Sequence, residues 1–333
     1  MGKIHKIAIQ NFCTEQGKNY AEIVLHYQSF GKILGSAPVV VVNHALTGNS
    51  QVIGEKGWWN ELIGTNKTID TNEFTVIAFN VPGNGYDGNP ENLIENYKDF
   101  TARDIAQIFL EGTRQLKIEK LFTVIGGSLG GGIAWEMAAL EPNYIENLIV
   151  IATDWKASDW IISNVLVQDQ ILNNSENPIH DARLHAMLLY RTPQSFRLKF
   201  KREINIETKQ FEVESWLHHH GEKLKNRFQL SSYKLMNHLL KTIDITRGRG
   251  SFFDVTKEIK SNIHIIGIAT DGFFTPDENR ETYQALKANK MNVYYHEIDS
   301  IHGHDAFLIE YEQLSKGIQS IFNKQKQTSY VNA

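Results

Sequence analysis

Short apolar runs alternate with helical stretches along most of the chain. Runs at 21–27, 38–43, 74–80, 121–125, 147–152, 263–269 and 292–298 are rich in Val, Ile, Phe and Tyr and end near Gly, Pro, Asn or Asp, the pattern of β-strands. The middle and late runs are close to continuously apolar, as parallel strands covered on both faces should be. Helical patterns over 100–116, 132–140 and 279–288 lie between them. Strand, helix, strand in succession predicts an α/β fold, a mostly parallel sheet with helices on both faces and right-handed crossovers. From 154 to 261 the strand signal lapses. Leu184, Met187, Leu188, Phe196, Phe200, Trp216, Leu224, Phe228, Tyr233, Leu235 and Leu239 recur there at helical spacing. Because strand-like runs resume at 263, this segment predicts a helical lid over 154–261, inserted between core parts 1–153 and 262–333.

The run at 121–125 leads into Gly126-Gly127-Ser128-Leu129-Gly130, followed by a helix from Ile133 that stops before Pro142. A serine on so sharp a strand-to-helix turn occupies a strained backbone conformation, and side chains two residues before or after it would strike neighbouring backbone. The turn pushes the hydroxyl out at the top of the sheet. It also leaves the Leu129 N–H free at a helix N-terminus, where it can stabilise an oxyanion. Two other glycine-rich loops compete for this pattern. A Walker A loop needs Lys-Ser/Thr where Gly131-Gly132-Ile133 stands, and a dinucleotide fingerprint belongs to a first βαβ unit, well before this position.

A serine is a weak nucleophile without a base, and the base needs an orienting acid. In α/β-hydrolase folds these follow in the order serine, acid, histidine. The run at 263–269 ends in Thr270-Asp271-Gly272, placing Asp271 at the end of a core strand. Asp277 and Glu278, after Pro276, read instead as the start of the next helix. Both His302 and His304 lie on the loop after the last strand, and position alone does not separate them. His44, in Asn43-His44-Ala45-Leu46-Thr47-Gly48, follows the strand whose loop donates the second oxyanion N–H in this fold; that donor is assigned to the Leu46 backbone, with His44 shaping the loop. His218-His219-His220 read as solvated lid surface, because three consecutive helical residues point in three directions and cannot share one ion.

Composition narrows the partners. The 333 residues carry 34 basic and 38 acidic side chains, so 34 − 38 gives −4, and the pI is near 6.4. Without a basic excess or a Lys/Arg-rich run, neither nucleic acid nor an anionic membrane surface is expected as a partner. Apolar residues at 41% and charged residues at 22% place the chain in the globular range. The longest apolar run, 37–42, is strand-sized, far short of the ~20 residues of a membrane span. The first residues, Met1 to Lys6, hold no apolar h-region, so no secretory signal is expected. A single cysteine, Cys13, leaves no disulfide or Cys-rich metal site and suggests a reducing cytoplasm.

Taken together, the motifs resemble the homoserine O-acetyltransferase family of the α/β-hydrolase superfamily. The resemblance spans roughly residues 20–320. It rests on Asn43-His44-Ala45-Leu46-Thr47-Gly48, Gly57-Trp58-Trp59, Gly126 to Gly131, Ala182-Arg183 with Leu189-Tyr190-Arg191-Thr192-Pro193, Phe211 to Leu217, Gly221-Glu222-Lys223, and Gly303-His304-Asp305-Ala306-Phe307-Leu308. It implies Ser128 as nucleophile, Asp271 as acid and His304 as base, with no bound cofactor and no metal, acetyl-CoA or another acyl-CoA serving as co-substrate. Further, it implies that Arg183 and Asp305 clamp the carboxylate and ammonium of an amino acid, with Tyr190 a further contact, and that the lid forms a homodimer. The expected reaction is transfer of an acetyl group to the homoserine hydroxyl, entering methionine synthesis. Alternatives are a serine hydrolase of the same fold, serine as acceptor, or succinyl-CoA as donor. The chain departs from the family pattern over 81–90 and at the lid entrance, 154–160, segments expected to line the substrate pocket.

Overall fold

A computed structural model describes residues 2–331, with side chains described through residue 323. Among the described residues ten strands form: β1 (Ile4–Cys13), β2 (Asn19–Gly31), β3 (Val39–Asn43), β4 (Ile63–Gly64), β5 (Ile69–Asp70), β6 (Thr75–Phe79), β7 (Leu121–Gly127), β8 (Ile145–Ile151), β9 (Asn262–Ile268) and β10 (Val293–Ile298). Eight of them make one sheet in the order β1-β2-β6-β3-β7-β8-β9-β10, while β4 and β5 pair separately. From β6 to β10 every pairing is parallel; β2 is antiparallel to both β1 and β6. This is the expected mostly parallel sheet.

β1 is not among the predicted runs. It is an edge strand with one buried face, so Ile7, Ile9 and Phe12 are buried while Lys6, Ala8 and Gln10 are exposed. A one-faced strand carries only half the apolar signal of a doubly covered one.

Adjacent residues of β3 face opposite sides. Val39 and Val41 join a cluster with Ile133, Trp135 and the helices after β6 and β7. Val40 and Val42 join Trp59, Phe74, Phe307 and Phe322 on the other side. Helix α1 (Ala102–Gln115) begins in a capping box: Thr101 accepts from the Asp104 N–H and Asp104 accepts from the Thr101 N–H, a cap worth about 1 kcal/mol. The same Asp104 carboxylate accepts from the Glu15 N–H at 2.6 Å, fastening the turn between β1 and β2 to the helix. Helix α2 (Leu129–Leu140) is buried nearly all round, as a helix between the sheet and other helices must be.

Between β8 and β9 lie α3 (Asp159–Asn174), α4 (Pro178–Tyr190), α5 (Pro193–Phe200), α6 (Glu212–Lys225), α7 (Leu230–Lys241) and α8 (Phe252–Thr256). Of the apolar positions predicted to drive these helices, Leu224, Phe228, Tyr233, Leu235 and Leu239 share one cluster with the sheet helices. Leu188 is 55% exposed, with Trp160, Leu166, Leu198 and Ile204 also facing solvent. Helix α9 (Pro276–Lys287) precedes β10, and α10 (Tyr311–Val331) follows it. Among the described residues no helix is long and apolar enough to cross a membrane.

Asp154, where the chain leaves β8 for these helices, is buried; its carboxylate accepts from the Trp155 N–H at 2.7 Å and the Thr282 hydroxyl at 2.8 Å. Burial outweighs these donors and pushes its pKa up to about 7. A carboxyl that is more basic folded than unfolded keeps extra protons in the native state, so stability falls as pH rises from its unfolded value, about 4, through its folded one. Asp154→Asn keeps an acceptor for Trp155 and removes the titration. Thermal melts of the wild type should lose stability between about pH 4 and pH 7 relative to the variant; identical pH dependence of the two would refute this.

Candidate active site

Loops at the C-terminal ends of β3, β7, β9 and β10 converge. Ser128, between β7 and α2, has φ 54° and ψ −127°, a left-handed conformation that costs a non-glycine residue about 1–3 kcal/mol. Its backbone is held on both sides, by its N–H to the Ile151 carbonyl at 2.9 Å and by the Gly131 N–H to its own carbonyl at 2.9 Å. A Cβ at Gly126 would collide with the Gly130 carbonyl, and one at Gly130 with the Asn43 carbonyl. Both glycines of the predicted motif are therefore required by space.

Asp271 follows β9. Its Oδ1 accepts from the Phe273 and Phe274 N–H groups at 2.7 and 3.0 Å, and its Oδ2 lies 2.7 Å from His304 Nδ1. Because a carboxylate only accepts, Nδ1 carries the imidazole proton. His304 Nε2, left with its lone pair, sits 2.9 Å from Ser128 Oγ. All three side chains are buried. Such a chain can take the serine proton as the hydroxyl attacks and hold the resulting imidazolium. Of the two histidines, His304 faces the serine, while His302 Nδ1 faces Arg191 Nη1 at 3.3 Å.

Thr270 joins the acid and base loops, donating its hydroxyl to the Ser300 carbonyl at 2.6 Å and accepting from the Gly303 N–H at 3.2 Å. Gly303, at φ 64°, has no room for a Cβ beside the Tyr190 carbonyl. Four rings, Phe273, Phe274, Phe307 and Tyr190, surround His304 at centroid distances of 5.2 to 5.9 Å. They fix the imidazole and keep water from it.

The two predicted oxyanion donors lie on segments that meet at the elbow. Leu129 is the first residue of α2, where a backbone N–H has no intrahelical acceptor. Leu46 lines a small cavity with Tyr190, Tyr233 and Phe273. The Asn43 amide donates to the Gly130 carbonyl at 3.3 Å, holding the loop after β3 against α2. His44 is buried, and burial pushes its pKa down to about 4, so the ring is neutral. Residues 80–84 lie behind His44, with Val81 N–H donating to its Nε2 at 3.0 Å.

Arg183, on α4, stacks its guanidinium 5.7 Å from the Tyr190 ring and forms no ion pair with any described residue. Burial raises the Tyr190 phenol's pKa, keeping it neutral. Nearby, burial and then the charges of Arg183, Lys223 and Arg191 press His220 down to about 4. Asp305 lies 2.9 Å from Arg191 Nε in an ion pair. That Nε–H is not aimed at the oxygen, so the contact is one of charge rather than a directed hydrogen bond. Among the described residues no group of three His, Cys, Asp or Glu is placed to hold a metal. His218 approaches His180 at 3.3 Å and His220 packs on Trp216, so these two histidines of α6 face different partners.

Residues 38–311 match the α/β-hydrolase fold family. The homoserine O-acetyltransferase of Cyclobacterium marinum is 35% identical over 92% of this chain and 92% of its own. The chain belongs to the homoserine O-acetyltransferase family. In structure, the homoserine O-acetyltransferase of Staphylococcus aureus superposes with a TM-score of 0.81 at 25% identity, covering 96% of this chain and 95% of that one. Esterase E22 superposes with a TM-score of 0.85 at 18% identity, covering 96% and 100%, a likeness of fold.

The sequence reading missed Arg191 and Thr270. Within this family assignment, Arg191 stands in the quoted Tyr190-Arg191-Thr192-Pro193 motif, and its basic side chain directly after a helix was the available signal. Thr270 gave none, since a threonine beside an acid is common in loops.

Proposed function

We propose that the chain is an acetyl-CoA-dependent homoserine O-acetyltransferase, working through an acyl-serine intermediate, and that Ser128, Asp271 and His304 are its catalytic residues. His304, oriented by Asp271, takes the Ser128 proton as Oγ attacks the thioester carbonyl. The Leu46 and Leu129 N–H groups stabilise the tetrahedral oxyanion. The C–S bond then breaks, His304 returns the proton to the leaving thiolate, and CoA departs. The homoserine hydroxyl next loses its proton to His304 and attacks the acyl-serine, and collapse of the second tetrahedral species restores the Ser128 hydroxyl.

The observation that carries the acceptor assignment is the unpaired Arg183 guanidinium over Tyr190, whose ring lies 5.4 Å from that of His304. A guanidinium fork suits a carboxylate, and Asp305, sharing its charge with Arg191, suits the ammonium. The esterase-like fold favours a second reading, hydrolysis of the acyl-serine by water. A simple esterase has no use for an unneutralised arginine packed on a ring that touches its base.

Incubation with acetyl-CoA alone, followed by peptide mass spectrometry, should find one acetyl group on Ser128 that disappears on adding homoserine. Spontaneous loss at the same rate without homoserine would favour the hydrolase. Arg183→Ala should raise KM for homoserine about 10–100-fold, as loss of a charge-assisted carboxylate contact does, with little change in Ser128 acetylation. An unchanged homoserine KM would remove Arg183 from the acceptor site.

A further inference from the structure

The buried His44 ring spends both nitrogens on backbone groups of two different loops. Val81 donates its N–H to Nε2 at 3.0 Å, and the Asn84 amide stands 3.2 Å from the same atom. A backbone N–H can only donate, so Nε2 is the unprotonated nitrogen and the proton sits on Nδ1. From there it is donated to the Ala45 carbonyl at 2.8 Å. The Asn84 assignment is consistent with this, because its amide also donates to Asn80 Oδ1 at 3.3 Å and its carbonyl accepts from the Tyr86 N–H at 3.2 Å. Asn80 is held in turn, its Oδ1 accepting from the Ser50 N–H at 2.9 Å.

The consequence falls on the neighbouring peptide. A planar trans peptide points its C=O and its N–H in opposite directions. The Ala45 carbonyl is held by His44 Nδ1 and by the Gly48 N–H at 2.9 Å. The N–H on the same plane is that of Leu46, and no described residue accepts it. An oxyanion donor is effective only when its direction is fixed before charge develops.

We propose that His44 is a positioning residue for the oxyanion hole: by gripping the Ala45 carbonyl it fixes the 45–46 peptide plane and aims the Leu46 N–H, while Val81 and Asn84 select the tautomer that makes this grip possible. The inference rests on the acyl-transfer reading, and on Leu46 as a donor within it. It gives the divergent loop that begins at residue 81 a defined task, support of the oxyanion loop from behind.

The test compares acylation of Ser128 by 4-nitrophenyl acetate and by its thiono analogue, in which sulfur replaces the carbonyl oxygen. Sulfur accepts hydrogen bonds poorly, so an aimed donor favours the oxygen ester. His44→Phe keeps a flat buried ring without either nitrogen. His44→Gln keeps an N–H for Ala45 and an oxygen for Val81. Relative to wild type, His44→Phe should lose about 10²-fold in acylation by the oxygen ester, the scale of one lost oxyanion donor, and much less with the thiono ester; His44→Gln should keep most of the oxygen preference. Rates are referred to titrated active sites, so a partly folded variant lowers both esters alike. Equal losses on the two esters, or no loss, would overturn the inference alone. A wild type that is acylated by neither ester would overturn the acyl-transfer reading and this inference with it.

Discussion

Ser128→Ala is expected to reduce thiol release from acetyl-CoA by at least about 10³-fold, with the fold and the melting temperature retained. The magnitude follows from the role: without the hydroxyl no acyl-serine forms, and the oxyanion donors and binding contacts leave only a residual acceleration over water. The retained fold follows from the backbone. The strain at φ 54° belongs to the turn between β7 and α2, fixed by the Ile151 and Gly131 hydrogen bonds and by Gly126 and Gly130, none of which involves the hydroxyl. Alanine gives up one hydrogen bond, to His304. Steady-state kinetics with circular dichroism is the check, and a variant within tenfold of wild type would remove Ser128 from the mechanism.

Asp271→Asn is expected to cost about 10³–10⁴-fold in kcat while leaving substrate binding nearly intact, for a reason visible in this particular loop. The Phe273 and Phe274 N–H groups both donate to Oδ1, so in the variant the amide oxygen must occupy that position. The amide nitrogen then faces His304 Nδ1 and donates to it, which forces the imidazole proton onto Nε2. There it points at Ser128 Oγ as a donor, and the base has no lone pair for the serine proton. The loss is thus one of tautomer, not of geometry. Asp271→Glu, or a rate regained at high pH where hydroxide replaces the base, would separate this from misfolding; a kcat within tenfold of wild type would contradict it.

The parts of this arrangement that sequence revealed are those fixed by short-range demands. Gly126 and Gly130 are needed because the turn leaves no room for Cβ atoms, and that need is written two residues either side of Ser128. Parallel strands such as β7 and β8 are buried on nearly every residue because both faces are covered, so their largely apolar runs stand out. β1 escaped notice because one face meets solvent. His302 and His304 could not be separated because they share a loop two residues apart, and only the turn of the 303–308 segment decides which ring meets Ser128. The Arg191–Asp305 pair joins residues more than a hundred positions apart and leaves no local mark. The same holds for the link from Val81 through His44 to Ala45: each residue is unremarkable in its own window, and the relation exists only after β3 and β6 lie side by side.

The proposed reaction passes an acyl group from a thioester to the hydroxyl of an amino acid. It is tested most directly by thiol release from acetyl-CoA with L-homoserine, with L-serine and with no acceptor. Release should depend on homoserine, run at least tenfold slower with serine, as the loss of one methylene in a fitted pocket allows at about 10–200-fold, and be absent in Ser128→Ala. Equal release with and without an acceptor would contradict it and make the chain a hydrolase.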